Sequence, residues 1–332
     1  MSKIMVTGGA GYIGSHIVRL LVETGQEVIV VDDLSEGHRE AIVDVPLTVS
    51  DFSDPKALEK TLGDGGVEFV VHMAAFCEVG QSVADPSAYY HNNLTRSLSL
   101  LDAAVKHGIR GLVFSSTAAV YGEPRELPIT EDHSQRPTNP YGETKLAFER
   151  ALEWYHGAYG LRSVALRYFN AAGAHPSSEL GEDHANETHL VPRLLQAVQH
   201  DSEPIPIFGD DYPTPDGTCV RDYIHVVDLA QAHVLALDAM RRGGVGRAAF
   251  NLGNGEGFSV RQVIDTVESV SGKRPPTRPA PRRPGDPASL VASSARIVES
   301  LGWKPAFPTL EEIVRTAWDW HRSHPDGYAR KS

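Results

Sequence analysis

Cysteine is scarce. Only Cys77 and Cys219 occur in 332 residues, which leaves no disulfide framework and no cysteine-rich zinc cluster to expect. Long apolar runs are missing too, so no stretch has the length of a membrane-spanning helix. The run before the first glycines, Ile4-Met5-Val6, is three residues long, which does not make a secretion leader. Positive charge is in deficit. A net charge of −12 argues against a general nucleic-acid binder or an anionic-membrane binder. Fifteen histidines occur without a metal-ligand spacing, so no metal is expected. No internal repeat is visible. What remains is a globular chain, expected in the cytosol, with 41% hydrophobic residues and room for one large or two ordinary domains.

The most informative stretch is Gly8-x-x-Gly11-x-x-Gly14. It follows the apolar run 4–6 and precedes an amphipathic stretch, 13–24, with apolar Ile13, Ile17, Leu20 and Leu21. Strand, glycine turn and helix in that order leave backbone N–H groups pointing at one spot, where the helix dipole favours a diphosphate. A Cβ there would block close approach. A glycine triplet alone is only a tight turn. Here a second apolar run, 28–31, ends in Asp32, 18 residues beyond Gly14. An acid near that distance holds a ribose 2′-OH and repels a 2′-phosphate, so NAD is expected over NADP.

Apolar runs at 67–72, 111–116 and 163–167 alternate with helical patterns at 54–62, 86–106 and 139–159. The expectation is an α/β fold with a doubly wound, Rossmann-type parallel sheet, whose ligands lie at the carboxyl ends of strands. Four stretches fall there: Gly8 to Gly14, His72 to Ala75, Ser115 to Thr117, and Tyr168 to Asn170. Taken alone, the hydroxyls at 115–117 read better as helix caps than as site residues. Asn139-Pro140 reads as a helix start, which places Tyr141 and Lys145 at i and i+4 on one face. A lysine cation there is expected to lower the phenol pKa from ~10, so that Tyr141 takes a proton from a substrate alcohol. Beyond about residue 175 the alternation fades. The expected division is a dinucleotide domain, 1–175, and a smaller mixed α/β substrate domain, 176–332. The arginine- and proline-rich stretch 274–286 reads from composition as a solvated linker. A final helix is expected over 310–321.

Six blocks together carry a resemblance: Val6 to His16, Phe114 to Gly122, Pro140 to Lys145, Leu166 to Asn170, Gly173 to Pro176, and Phe208 to Ala230. The chain resembles the extended short-chain dehydrogenase/reductases, and within them the NAD-dependent UDP-glucose 4-epimerases, over about residues 3–328. The resemblance implies reversible epimerisation at C4 of a UDP-hexose through a 4-keto sugar. Epimerisation of UDP-N-acetylglucosamine, a UDP-pentose or a UDP-uronate is the alternative, because the C4 chemistry is the same. Thr117, Tyr141 and Lys145 are the implied catalytic set. Gly8, Gly11, Tyr12, Ile13, Gly14, Asp32, Asp51, Phe52, Asn92, Tyr141, Lys145 and Tyr168 are the implied NAD contacts. Thr117, Asn170, His189, Leu190, Phe208, Arg221, Arg283, Asp286 and Leu290 are the implied substrate contacts. The resemblance also turns the 274–286 stretch into a phosphate-binding arm, and implies a homodimer built on residues 86–106 and 139–159.

Three positions depart from the family pattern. Cys77 stands where a lysine near the cofactor phosphates is common, His189 replaces an asparagine, and Leu290 lines the far end of the sugar pocket. Ala118-Ala119 lacks the carboxylates that a 4,6-dehydratase needs. A dinucleotide-sensing regulator on the same fold typically loses the tyrosine or the lysine, and this chain keeps both.

Overall fold

Ile4 and Val6 enter one apolar cluster and Met5 another, and all three are fully buried. A strand covered on both faces belongs in a parallel sheet between helical layers. The computed structural model describes residues 3–63, 66–200, 203–283 and 286–328. The first six strands are β1 (Lys3–Thr7), β2 (Glu27–Asp32), β3 (Leu47–Val49), β4 (Val67–His72), β5 (Gly111–Thr117) and β6 (Arg162–Tyr168). The later ones are β7 (Asn170–Ala172), β8 (Ile205–Phe208), β9 (Val220–Arg221), β10 (Tyr223–His225), β11 (Arg247–Leu252), β12 (Phe258–Ser259), β13 (Thr277–Ala280) and β14 (Ser289–Leu290). Among the described residues the main sheet runs β11–β6–β5–β4–β1–β2–β3, with every pair parallel. Its order reverses between β1 and β4. That is the switch point where the loops after strands part and leave a crevice.

Helices α1 (Tyr12–Glu23), α2 (Pro55–Gly63), α3 (Val79–Ala84), α4 (Pro86–Tyr89), α5 (Arg96–Lys106) and α6 (Pro140–Tyr159) belong to the first half. Helices α7 (Leu190–His200), α8 (Val226–Arg241), α9 (Val260–Ser271), α10 (Ala295–Leu301) and α11 (Leu310–Ser323) follow. Ile17 and Leu21 of α1 and Leu229 and Leu237 of α8 cover one face of the sheet. Leu58, Leu100, Leu101, Phe148 and Leu152 cover the other. Burying a side chain of this size stabilises the fold by roughly 1.5–3 kcal/mol. The division expected near residue 175 is crossed twice, because α8 and β11 return to the first layer system. Helices α7, α9 and α11 form a separate core around Leu194, Leu195, Val263 and Ile313. Short strand pairs, β8 with β13 and β9 with β12 and β14, complete that region.

The helix expected over 86–106 runs through without a gap, but its middle is widened. A π-turn, Tyr90–Thr95, joins α4 to α5. Such widened turns often mark sites of function. Here the turn presents Asn93, whose side chain accepts from Phe76 N at 2.9 Å and donates to Phe76 O at 2.9 Å. It thereby clamps the loop after β4. Among the described residues no helix is long and apolar enough to cross a membrane.

Candidate active site

The glycine loop has three distinct jobs. A Cβ on Gly8, which has φ +67°, would lie 2.6 Å from Ala74 N, so this position closes the loop against the turn after β4. A Cβ on Gly14 would lie 2.1 Å from Gly8 O, so only glycine lets α1 start under the loop. At Gly11 the nearest atom would be Gly8 O, at 3.5 Å, so its outer side is open. Gly11 is also the residue before the helix, and no side chain caps it. The first-turn N–H groups of α1 therefore remain available to an anion.

Asp32 lies at the end of β2, where it is expected to meet a ribose. Its Oδ2 accepts from Ala10 N at 2.8 Å and its Oδ1 from Leu34 N at 2.9 Å. The carboxylate thus also pins the glycine loop. Burial raises its pKa, and those two N–H donors hold it down. Asp51 pairs with Arg96 at 2.9 Å, and Phe52 packs on His72. Asn92 is buried, and its Oδ1 accepts from Arg96 at 3.0 Å. Tyr12 donates to Gly173 O at 2.6 Å, which ties α1 to the segment after β7, and Ile13 packs against the core on that face. Tyr168 donates to His233 Nε2 at 2.5 Å, and His233 donates to Leu229 O. The loop, the uncapped helix and the carboxylate fit NAD.

The reactive groups meet at the ends of β5 and α6. Asn139 accepts from Gly142 N at 2.9 Å and starts α6. A Cβ on Gly142 would lie 2.6 Å from Ala119 O. That close approach brings Tyr141 to the turn after β5, a role for Gly142 that local spacing does not reveal. Thr117 accepts from Ala119 N at 3.1 Å, so the capping reading holds, and its hydroxyl also lies near enough to Tyr141 to pull the phenol pKa down. Lys145 is 2% exposed, donates to Ser115 O at 2.8 Å, and has its ammonium 5.8 Å from the Tyr141 ring centre.

The expected fall in the Tyr141 pKa does not appear in the protein alone. Burial dominates and raises it above 10, the charge of Cys77 adds to the rise, and the Thr117 hydroxyl opposes it. Burial also lowers Lys145 to about 8. Further along the same face of α6, Glu149 pairs with buried Arg167 at 2.6 Å and accepts from Ser116. Arg167 donates to Tyr121 at 2.7 Å. This network fixes α6 on β5 and β6. Sequence reading missed it because the partners are distant in the chain.

The substrate-side positions are more dispersed. Asn170 begins β7, and Leu190 begins α7. Phe208 ends β8 under Arg283, whose guanidinium lies 3.9 Å from the ring centre. Arg221 pairs with Asp286 at 2.5 Å. Leu290 pairs in register with Arg221 and packs on the Val120, Tyr121, Ile129 and Leu146 cluster. Asp222, unexpected from sequence, accepts from Asn254 N at 2.7 Å, Ala292 N at 3.0 Å and Gly255 N at 3.1 Å. It thereby ties the end of β9 to the segments that follow β11 and β14. Burial raises its pKa to about 6. His189 faces Glu182 and Glu187. The exposed Cys77 lies near enough to Tyr141, Lys145 and His189 for their charges to interact.

A Rossmann-type sheet with an open glycine loop, and a Tyr–Lys pair against a strand-end hydroxyl, define a dinucleotide-dependent enzyme that acts on an alcohol. The family model described as "NAD dependent epimerase/dehydratase family" matches residues 4–253. A protein named UDP-glucose 4-epimerase from Halalkalibacterium halodurans is 51% identical over 99% of this chain and 98% of its own. The crystal structure of UDP-glucose 4-epimerase from Brucella ovis in complex with NAD has a TM-score of 0.93 at 45% identity, over 96% of this chain and 98% of that one. The structure of UDP-glucose 4-epimerase from Bifidobacterium longum in complex with NAD+ and UDP has a TM-score of 0.94 at 38% identity, over 98% and 100%. The chain belongs to the NAD-dependent epimerase/dehydratase family.

Proposed function

We infer that the protein is a UDP-glucose 4-epimerase, which interconverts UDP-glucose and UDP-galactose. The observation that carries the reading is the meeting of Tyr141, Lys145 and Thr117 at the same carboxyl edge of the parallel sheet as the glycine loop, with Ala118 and Ala119 where elimination would need carboxylates. Relatives of that name at about half identity over the full length support it.

Gly8, Gly11, Gly14, Asp32, Asp51, Asn92 and Lys145 hold NAD, with Tyr12, Ile13, Phe52 and Tyr168 beside them. When bound, NAD supplies a reversible hydride acceptor at the sugar C4. Tyr141 takes the proton of the 4-OH, and Thr117 bridges the substrate oxygen and the phenol. Lys145 places a positive charge beside the ring, which stabilises the phenolate. The 4-keto sugar turns over in the pocket and presents its opposite face, and Tyr141 returns the proton. Arg221 and Arg283 bind the diphosphate, for which bidentate guanidinium donors are suited. Asp286 holds the nucleoside side. Phe208, Leu190, Asn170, His189 and Leu290 wall the pocket.

The working unit is a cytosolic homodimer joined through α5 and α6. Trp154 on α6 is 78% exposed, which suits a face covered by a second copy. Sedimentation at micromolar concentration checks this; a monomer contradicts it. The substrate assignment is tested with UDP-glucose, UDP-galactose, their N-acetyl forms, UDP-pentoses and UDP-uronates, with no cofactor added. Fastest conversion of the glucose/galactose pair is expected. A dominant rate on another pair replaces the substrate, and no conversion of any rejects the reading.

A further inference from the structure

The loop between β7 and α7 carries Glu182-x-His184-x-x-Glu187-x-His189. Loop residues with this spacing match no metal motif, yet their side chains turn toward one point. Ligating atoms of all four lie within 4.8 Å of one another. His189 Nδ1 is 2.9 Å from Glu182 Oε1 and 3.1 Å from Glu187 Oε1. His184 Nδ1 is 3.0 Å from Glu187 Oε2 and 3.7 Å from Glu182 Oε1. Ligands at ~2.0–2.1 Å around a tetrahedral zinc ion stand roughly 3.3 Å apart. The four separations above bracket that value, and the widest in the group, up to 4.8 Å, must close on the ion.

A second observation points the same way. The Glu182 and Glu187 side chains are each 5% exposed. Among the described residues Glu182 Oε1 is fully buried and accepts no well-aligned hydrogen bond, although its ion-pair partner His189 Nδ1 lies 2.9 Å away. An oxygen lone pair and an imidazole nitrogen thus face each other off the line of a hydrogen bond. Two buried carboxylates need two positive charges. In the metal-free protein the two histidines can supply them, since despite burial the glutamates raise the pKa of His184 and His189. One divalent ion supplies both instead and leaves the imidazoles neutral, as ligands must be.

We propose that Glu182, His184, Glu187 and His189 form a divalent transition-metal site. Two imidazoles with two carboxylates suit zinc, whereas calcium and magnesium take oxygen ligands. The bound ion fixes the loop that leads into Leu190 and holds it near α1, where Tyr12 meets the His184 ring edge-on at 6.5 Å. The site departs from the sequence expectation of no metal. It does not depend on which sugar is turned over.

The test is calorimetric titration of the chelator-stripped, full-length protein with Zn2+, beside visible absorption of the Co2+ form. One ion per chain, a four-coordinate Co2+ spectrum, and at least tenfold weaker binding in Glu182→Gln and His184→Ala are expected. Circular dichroism establishes that each variant is folded. Absence of saturable binding in the wild type, or equal affinity in a folded variant, overturns the site. If a variant fails to fold, the wild-type Co2+ spectrum decides: a weak six-coordinate spectrum overturns it, and an intense four-coordinate one supports it.

Discussion

The Lys145 ammonium lies 5.8 Å from the centre of the Tyr141 ring, one helical turn away, and is held there by its 2.8 Å bond to Ser115 O. Lysine and phenol are therefore positioned by different elements, α6 for both backbones and β5 for the charge. Tyr141→Phe keeps the packing and removes the base. Turnover should fall by the ~10²–10⁴ typical of a lost general base, with KM little changed. Steady-state kinetics check this, and near-normal kcat in the variant would assign the base elsewhere.

Thr117 caps a turn, and its hydroxyl lies close enough to Tyr141 to favour the phenolate. Thr117→Ser keeps the hydroxyl and should be mild. Thr117→Val removes it and should lower kcat severely. Melting temperatures separate the two roles, since loss of a cap alone costs ~0.5–2 kcal/mol of stability. A Val variant that is less stable but fully active would leave Thr117 as a cap only.

Leu290 is wedged against Val120, Tyr121 and Leu146, so its side chain lies on the wall behind the turn after Thr117. Leucine offers no hydrogen bond to an acetamide, and a buried amide without partners costs ~1–3 kcal/mol. UDP-glucose should therefore be preferred over UDP-N-acetylglucosamine, and Leu290→Ser should raise the N-acetyl ratio. The ratio of kcat/KM values is the measurement. A wild-type ratio at or above one refutes the preference. An unchanged ratio in the variant moves the gate to another residue.

Five buried histidines predict acid sensitivity. Burial lowers His72 and His225 to about 3, and His16, His233 and His321 to about 4. Unfolded, each titrates near 6.5, so below that pH the unfolded chain binds more protons. Their stabilising effect is complete above pH ~6.5 and is lost as pH falls toward their folded values. Each contributes on the order of 1–2 kcal/mol between pH 7 and 5. Asp222, raised to about 6, works the other way between its ordinary value and 6. His184 and His189, which their glutamates raise despite burial, also work the other way, but the five lowered histidines outnumber them. The urea midpoint should fall from pH 7 to pH 5. A constant or rising midpoint contradicts this.

The legible parts of the molecule were those with local signatures. Gly8, Gly11 and Gly14 sit beside the strand and helix they join, and Tyr141 and Lys145 share a face by spacing alone. Strands β2, β4, β5 and β6 were visible because both their faces are buried. Strand β11 was not, because its run Arg247-Ala-Ala-Phe-Asn-Leu252 is only partly apolar and pairs with β6 across a long insertion. The π-helical segment Tyr90–Thr95 carries Asn93 to Phe76, and Asp222 accepts from three distant amides, contacts that local spacing does not show. The Tyr141 pKa was misjudged because pair spacing ignores burial.

The central claim is that the hydrogen removed from C4 returns to the same carbon. UDP-galactose labelled with deuterium at C4, incubated with the protein and no added cofactor, tests it directly by mass spectrometry and NMR. The account predicts UDP-glucose with the deuterium retained at C4. UDP-glucose with that position filled by solvent hydrogen, or no UDP-glucose at all, would contradict it.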